Sequence, residues 1–553
     1  MSDKSPGKQT APAEEKSTIR ELISSRSAQY GDKIFLLDPE KEKEYSYARF
    51  AEKVDAVSNF LHRQGIGKDA KVALFMPNSP AYLFFFFGIM QLGAVACPIN
   101  THLQAEELAY ILHNSDSAAL FCAGTYLENA LPAIRSAAEQ GELRFLFCED
   151  TSAARLAELQ EQLSQEQLSP LQVVNVEEML QEATGTLLPE IAELPLGGDD
   201  VAEIIYTSGT TGRPKGAMLT HHNLLIDASW IARWNRLGED DRALCVMPLF
   251  HINAQIVTVL TPLYHGGSVV LPERFSVTRF FPLINYYGAT YVGTVATMLS
   301  MLLNKAGPRE AAESKLKIVF CGSAPVPAEV LEKFEKTFQV PVIEGYGMTE
   351  TSCRSTFNPL PPPDALKLGE NDGYRKIGSV GLPLGNEMLV LDDHDNPLGP
   401  GEIGEIVIRG PNVTKGYYKD RVSTAKVMRG GWFYSGDLGY YDEDGYFYIV
   451  DRKNDMIIRG GENIYPREIE EVLYTHPAVR DAACIGIPDQ LYGEEVAAFV
   501  VLKDTARAAE EELVSFCRER LAAYKCPKKV TIVEEIPKSS SGKLLRKELR
   551  KRT

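Results

Sequence analysis

The chain has 553 residues, 44% apolar and 24% charged, an ordinary globular balance in a length too great for one compact core. Its 58 basic residues are outnumbered by 75 acidic ones, and the net charge of −17 excludes a nucleic-acid backbone or an anionic membrane surface as the main partner. Nine cysteines lie scattered without a Cys-x-x-Cys pair or a Cys/His cluster, which predicts a reducing compartment, no disulfide framework and no zinc site.

In chain order, Met1 to Ser17 is polar, lacks the apolar core of a secretion signal and reads as a disordered tail, set at residues 1–18. Phe50, Val54, Val57 and Leu61 fall at helical spacing, and Lys71 to Met76 reads as a strand. The greasiest segment, Ala81 to Pro98 with Phe84 to Phe87 in a row, is shorter than the roughly 20 residues a membrane span needs and carries Gln91. It predicts a buried helix running into a strand; peripheral membrane contact stays open. Glu158 to Leu168 predicts a surface helix. Leu316 to Cys321 predicts a strand, and Ala328 to Phe338 a helix with Leu331, Phe334 and Phe338 on one face. This alternation predicts an α/β fold of mostly parallel sheets.

From about Ile377 short apolar strands, Glu387 to Leu391 and Gly404 to Ile408, sit among turn residues and predict a β-rich subdomain. Tyr446 to Val450 runs into the charged stretch Asp451 to Asp455. The chain then restarts as an α+β unit: Pro466 opens a helix carrying Ile469, Val472 and Leu473, strands follow at Ala482 to Ile487 and Val496 to Leu502, and a helix at Glu511 to Ala523. The expected domains are residues 19–453 and 454–553, joined at Lys453–Asp455.

The chemistry concentrates in a few segments. Tyr206-Thr-Ser-Gly-Thr-Thr-Gly-Arg-Pro-Lys-Gly216 follows the apolar run Val201 to Ile205. Its glycines, Gly209 among them, let backbone N–H groups approach an anion. Thr207, Ser208, Thr210 and Thr211 can donate to phosphate oxygens, and Lys215 adds charge. No frame fits the Walker spacing, because Lys215 precedes Gly216. Further along come His251 beside Ile252 and Asn253, Gly322-Ser323-Ala324 after a strand end, and Tyr346-Gly-Met-Thr-Glu350. Tyr434-Ser-Gly-Asp437, Asp451-Arg452, Ile458 to Pro466 with Gly460 and Gly461, and Pro537-Lys-Ser-Ser-Ser-Gly-Lys543 complete the set.

This set, in this order and spread over roughly Ile19 to Arg552, resembles the adenylate-forming superfamily, which includes acyl-CoA synthetases, firefly-type luciferases and the adenylation domains of peptide synthetases. The resemblance implies a large N-terminal domain of two α/β sheet subdomains and a distorted-barrel β subdomain, with a small mobile C-terminal α+β domain. It implies ATP and coenzyme A as co-substrates and Mg²⁺ as cofactor. Carried over, Tyr346 stacks on adenine, Thr349 meets the α-phosphate, and Glu350 with Thr207 holds magnesium. A hard cation of this kind takes oxygen ligands and few protein carboxylates. Asp437 and Arg452 meet the ribose. Gly322, Ser323, Ala324, Glu344, Gly345, Gly347 and Ile449 line the nucleotide site. Lys543 reaches the carboxylate and α-phosphate, and His251 gates the carboxylate. Gly460 and Gly461 close around the pantetheine arm. Asn454 stands where the family hinge carries Asp or Lys, a departure at that position.

The implied reaction couples a carboxylic acid to coenzyme A through an acyl-adenylate, with a rotation about Lys453–Asp455 between half-reactions. A fatty acid or related acid is expected, because Tyr440 to Tyr474 is similar to fatty-acid-type synthetases. The alternatives are a 4-coumarate-, dicarboxylate- or carnitine-type CoA ligase, a luciferase-like oxygenase, a carrier-protein loader, and an inert nucleotide- or acyl-CoA-binding protein. The acyl pocket candidates are Ile252, Asn253, Thr294, Val295, Ser323, Met348 and Cys353. Arg354 is expected to face solvent, the alternative being an anchor for a second carboxylate. A cytoplasmic setting is expected, as monomer or homodimer.

Overall fold

Two parallel-rich sheets are built from the apolar runs of the first 360 residues, and the strands are nearly continuous in Val, Ile, Leu, Phe and Cys because helices cover both faces. The computed structural model describes residues 17–166, 168, 171–182, 185–207, 213–307, 314–323, 326–460, 462–504, 506–539 and 543–552. Most of the predicted tail lies outside these residues, as do Ser208, Gly209, Thr210, Thr211, Ala324 and Gly461.

One sheet has seven strands in the order Gln172–Asn175, Phe145–Glu149, Ser117–Ala123, Lys71–Phe75, Val95–Pro98, Val201–Thr207 and Lys215–Thr220. The other has nine, and its centre runs Val342–Tyr346, Ile318–Cys321, Tyr291–Thr294 and Arg242–Leu244, all parallel. The greasy segment forms the helix Pro80–Gln91, buried from Ala81 to Gln91, with Ser79 accepting from the Tyr82 N–H at its start. Its phenylalanines stack inward: the Phe85 ring lies 3.8 Å from Phe121, which lies 4.4 Å from Phe147. Gln91 is satisfied by donating to Asp55 Oδ1 at 2.7 Å. Gly88 lets this helix close on Tyr47–Arg63, since a Cβ there would stand 2.7 Å from Val57 Cγ1. No helix among the described residues is long and apolar enough to cross a membrane.

The β-rich part is a five-stranded antiparallel sheet including Glu387–Leu391, Gly404–Arg409, Trp432–Tyr441 and Phe447–Arg452. Its last strand extends past the predicted Val450 into the charged stretch, because Asp451 and Arg452 pair with Leu438 and Asp437. The smaller C-terminal domain packs the helices Pro466–Tyr474 and Glu510–Arg518 on a second five-stranded sheet whose long hairpin is Val479–Asp489 and Gly493–Leu502. Two predicted helices end elsewhere. Glu510–Arg518 stops short of Ala523 because Leu521 and Tyr524 fold back onto the core. The surface helix spans Ala153–Gln165, with Leu156, Leu159 and Leu163 buried along one side.

Candidate active site

Strands deliver most of the site, and they deliver it at their C-terminal ends, the edge where α/β sheets take ligands. Val201–Thr207 and Lys215–Thr220 form an antiparallel pair in which Thr207 faces Lys215, so the two residues form the neck of the phosphate-type loop. Thr207 Oγ1 donates to Glu350 Oε1 at 3.4 Å, and the Tyr417 hydroxyl donates to the same oxygen at 2.9 Å. Lys215 Nζ stands 5.3 Å over the Tyr417 ring. Tyr417 arrives on a segment that hydrogen-bonds along Lys215–Thr220, through Met218 to Gly416 and Tyr418 to Gly216. Sequence reasoning missed it; the only signal is Gly416-Tyr417-Tyr418 after a turn.

Among the described residues no three His, Cys, Asp or Glu side chains converge on one point. Glu350 and the Thr207 hydroxyl therefore offer one carboxylate and one neutral oxygen. That set fits magnesium, which draws its other ligands from phosphate and water.

Val342–Tyr346 ends at the second cluster. The Tyr346 hydroxyl donates to Asp437 Oδ2 at 2.6 Å, and Arg452 Nε donates to Asp437 Oδ1 at 2.6 Å. Asp437 and Arg452 face each other across Trp432–Tyr441 and Phe447–Arg452. Burial and the Asp437 charge hold the Tyr346 phenol well above its ordinary value. The ring packs with Ile449 on a small apolar cluster of Met388, Val390, Ile406, Ile408 and Phe447. The buried Glu344 carboxyl is pushed up to about 8 by burial, with Arg467 opposing. Gly345 O accepts from Arg354 Nη1 at 3.1 Å. Gly347 is required by close approach, since a Cβ there would stand 2.0 Å from Cys353 O. Thr349 and Glu350 begin the single turn Thr349–Thr351.

Lys543 comes to this same cleft from near the end of the chain. It is exposed to solvent, yet its ammonium is held below the ordinary lysine value, first by desolvation and then by Arg452, with Asp437 and Glu350 opposing. His251 is near enough to Lys543 to feel it: its pKa falls to about 4, mainly by burial, then by the charges of Lys543 and His102. Three residues beyond Lys543, Arg546 donates to Glu470 at 2.7 Å and to the Cys484 carbonyl at 3.1 Å.

Behind the cleft lie the pocket candidates. Ile252, Asn253, Thr294, Val295, Met348 and Cys353 are all buried. Asn253 Nδ2 donates to Ser323 Oγ at 3.4 Å, while Asn253 Oδ1 has no partner. Ser323 holds φ at +68°, so the turn after Ile318–Cys321 is sharp. The Thr294 hydroxyl is spent on the Phe320 carbonyl at 3.0 Å. Asn253 also opens a π-helix, Ala254–Leu260, a wide turn often found beside functional sites. The expectation for Arg354 is overturned: it is 1% exposed, the largest fully buried side chain, because Gly322 leaves room for its guanidinium.

Two candidates stand apart from the cleft. Asn454 is exposed between Lys453, whose N–H donates to Gly436 O at 2.9 Å, and Asp455, which meets Arg546. It does not adopt the positive φ that asparagine tolerates. Gly460 turns the hairpin of Ile457–Arg459 and Glu462–Ile464 at φ +60°, and its N–H donates to Tyr492 O at 2.8 Å.

Comparison with known proteins bears on this geometry. Residues 23–418 match the AMP-binding enzyme family and residues 468–543 the AMP-binding enzyme C-terminal domain. The chain is 37% identical to a sulfoacetate–CoA ligase of Cupriavidus necator over 96% of its own length and 97% of the relative's. It is 37% identical to a feruloyl-CoA synthase of Amycolatopsis sp, covering 92% and 94%. ATP-bound MatB of Rhodopseudomonas palustris superposes with a TM-score of 0.84 at 28% identity, over 97% of this chain and 99% of that one; the apo form of the same protein gives 0.73. The chain belongs to the AMP-binding enzyme family of adenylate-forming proteins, and within it to the ATP-dependent acyl-CoA ligases.

Proposed function

We propose that Lys543, Arg452, Asp437, Glu350 and His251 carry an adenylation half-reaction in this cleft, and that a second orientation of the C-terminal domain carries thioester formation. In the first step a carboxylate oxygen of the acid attacks the α-phosphorus of ATP, forming the acyl-phosphate bond and releasing pyrophosphate. Two anions meet in that step, so charge and position dominate. The Lys543 ammonium stands between them. Thr349 meets the α-phosphate, and Thr207, Lys215 and the loop Ser208, Gly209, Thr210 and Thr211 hold the phosphates leaving. Tyr346, with Ile449, Glu344, Gly345 and Gly347, forms the adenine side, with the turn at Gly322 and Ser323, and Asp437 with Arg452 takes the ribose. Glu350 and Thr207 would hold magnesium, which when bound would supply charge neutralisation at the phosphates.

In the second step the CoA thiolate attacks the acyl carbon and AMP leaves. Lys543 and the Gly460–Gly461 hairpin belong to one small domain, residues 454–553, and one orientation presents one of them. We assign the turn to the exposed Asn454. The closer match to the ATP-bound relative supports reading the present arrangement as the adenylating one. The reading carries with it a cytoplasmic setting, where ATP and CoA are supplied, and no nucleic-acid or membrane partner.

The observation that supports this most is the pair of clusters Tyr346–Asp437–Arg452 and Thr207–Glu350–Tyr417, whose charges the Lys543 ammonium feels. It is tested by ATP–pyrophosphate exchange across a panel of acids, followed by CoA-dependent AMP release. Exchange without CoA and AMP release with CoA are expected; exchange unaffected by Lys543→Ala overturns the assignment of that residue.

A further inference from the structure

Arg354 is a buried cation whose guanidinium forms no salt bridge among the described residues. Its Nη1 donates to Gly345 O at 3.1 Å, but Nε and Nη2 have no partner. Its guanidinium lies 5.1 Å from the Phe357 ring centroid. The buried Asp227 carboxyl feels the Arg354 charge, but its Oδ2 accepts from the Arg354 backbone N–H at 3.0 Å and its Oδ1 has no hydrogen-bond partner. Among the described residues no carboxylate lies within salt-bridge distance of the guanidinium. Leaving a buried charge so placed costs several kcal/mol in general, and proteins keep such groups when a ligand completes them.

The surroundings say where that ligand comes from. A Cβ at position 322 would stand 2.0 Å from Arg354 Nη1 and 2.8 Å from Cζ, so the guanidinium lies directly against the turn at Gly322 and Ser323. Ser323 bonds Asn253, whose Oδ1 is a second buried atom without a partner. Asn253 is two residues from His251, and His251 feels the charge of Lys543. A row therefore runs from the amine through His251, Asn253 and Ser323 to the guanidinium, with Ile252, Met348 and Cys353 beside it.

We propose that Arg354 is a specificity residue reading a second anionic group on the acid, so that the substrate is a short acid carrying a carboxylate or sulfonate at the end away from the reacting carboxyl. This rests on the ligase reading above. The planar guanidinium fork presents the two free nitrogens to such a group, as arginine does in bidentate recognition. The Gly322–Ser323 turn has to yield for the contact to form, and the missing side chain at Gly322 makes that movement cheap. An acid that stays neutral at its far end leaves the guanidinium unpaired.

The test is CoA-dependent AMP formation by the full chain with matched pairs: malonate and succinate against their monomethyl esters, and 3-sulfopropanoate against butanoate. The expected result is a kcat/KM for the dianions at least about 100-fold above the matched monoanions. Arg354→Met should bring that ratio within about threefold and Arg354→Lys should keep part of it. The ratio is taken within each protein, so a loss of folded material cancels, and the wild-type ratio decides without any variant. Turnover of monoanions with a wild-type ratio near one overturns the assignment and leaves the ligase standing. A large ratio that survives Arg354→Met also overturns it. AMP formation with none of these acids overturns this assignment, and pyrophosphate exchange across the broader panel of acids decides the ligase reading separately. Preference for the dicarboxylates over 3-sulfopropanoate, or the reverse, identifies which anionic group the fork takes.

Discussion

Arg546 and Glu470 meet at 2.7 Å, and this bond ties the segment bearing Lys543 to the first helix of the C-terminal domain. The same guanidinium stands 3.5 Å from Asp455 and 3.9 Å from Asp451, on either side of Asn454. The neighbouring carboxylates push the Arg546 pKa up against the desolvation of its site. One cation thus links the segment bearing Lys543, the carboxylates flanking Asn454 and the first helix of the small domain.

Arg546→Met should leave Glu470 and Asp451 buried without their partner. A broken buried pair costs about 3–5 kcal/mol. The melting temperature should fall, and adenylation should fall about tenfold more than CoA capture of preformed acyl-AMP. Adding Glu470→Gln should restore part of the stability. Equal loss of the two half-reactions counts against a tether acting through Lys543.

Lys543→Ala should reduce pyrophosphate exchange by a factor of about 100 or more and leave the reaction of acyl-AMP with CoA near its normal rate. Because the site lowers the lysine pKa, the charged form is lost at a lower pH than for an ordinary lysine. Exchange should therefore decline on the alkaline side, and Lys543→Arg should remove that limb from the pH profile. An alkaline limb that persists in the arginine variant assigns it to another group.

Tyr417→Phe removes one of the donors to Glu350 Oε1 and keeps the ring beneath Lys215. A hydrogen bond to a charged group is worth about 1.5–3 kcal/mol. The magnesium concentration needed for half-maximal exchange should rise about tenfold, with the KM for the acid little changed. A shift confined to the acid would remove Tyr417 from the metal side.

Gly322→Ala places a Cβ 2.0 Å from Arg354 Nη1, and the guanidinium must move. The KM for the acid should rise at least about tenfold, and by more than the weakening of ATP binding read by calorimetry, which the same turn also touches. Equal damage to both would mean that the turn, and not the arginine, carries the effect.

Glu203 is fully buried on Val201–Thr207, both its oxygens lack partners, and burial pushes its carboxyl up to about 8. Gln255 opposes that rise, but burial dominates, so the protonated acid is the form that suits the site. Between its unfolded value near 4.5 and about 8 the folded chain holds a proton that the unfolded chain has released, so stability falls as pH rises through that window. Glu203→Gln should flatten this part of the melting-temperature profile and match or exceed the wild type at the alkaline end. A wild-type profile that does not decline there removes the group from the balance.

Much of the fold was legible because strand and helix periods are local. The greasy run could be read as helix then strand, and Ala328–Phe338 was matched to the residue. Tyr346, Glu350, Asp437 and Lys543 could be singled out because each lies in a short segment that resembles a family motif; that Tyr346 bonds Asp437 and Thr207 bonds Glu350 is a matter of the tertiary structure. What stayed hidden depends on contacts far apart in sequence. Tyr417 meets Glu350 across 67 positions, and Arg546 meets Asp455 across 91. Arg354 looked like a solvated charge because charge alone favours water. Only the tertiary structure, by opening a space at Gly322 and closing strands around it, decided that this arginine lies inside.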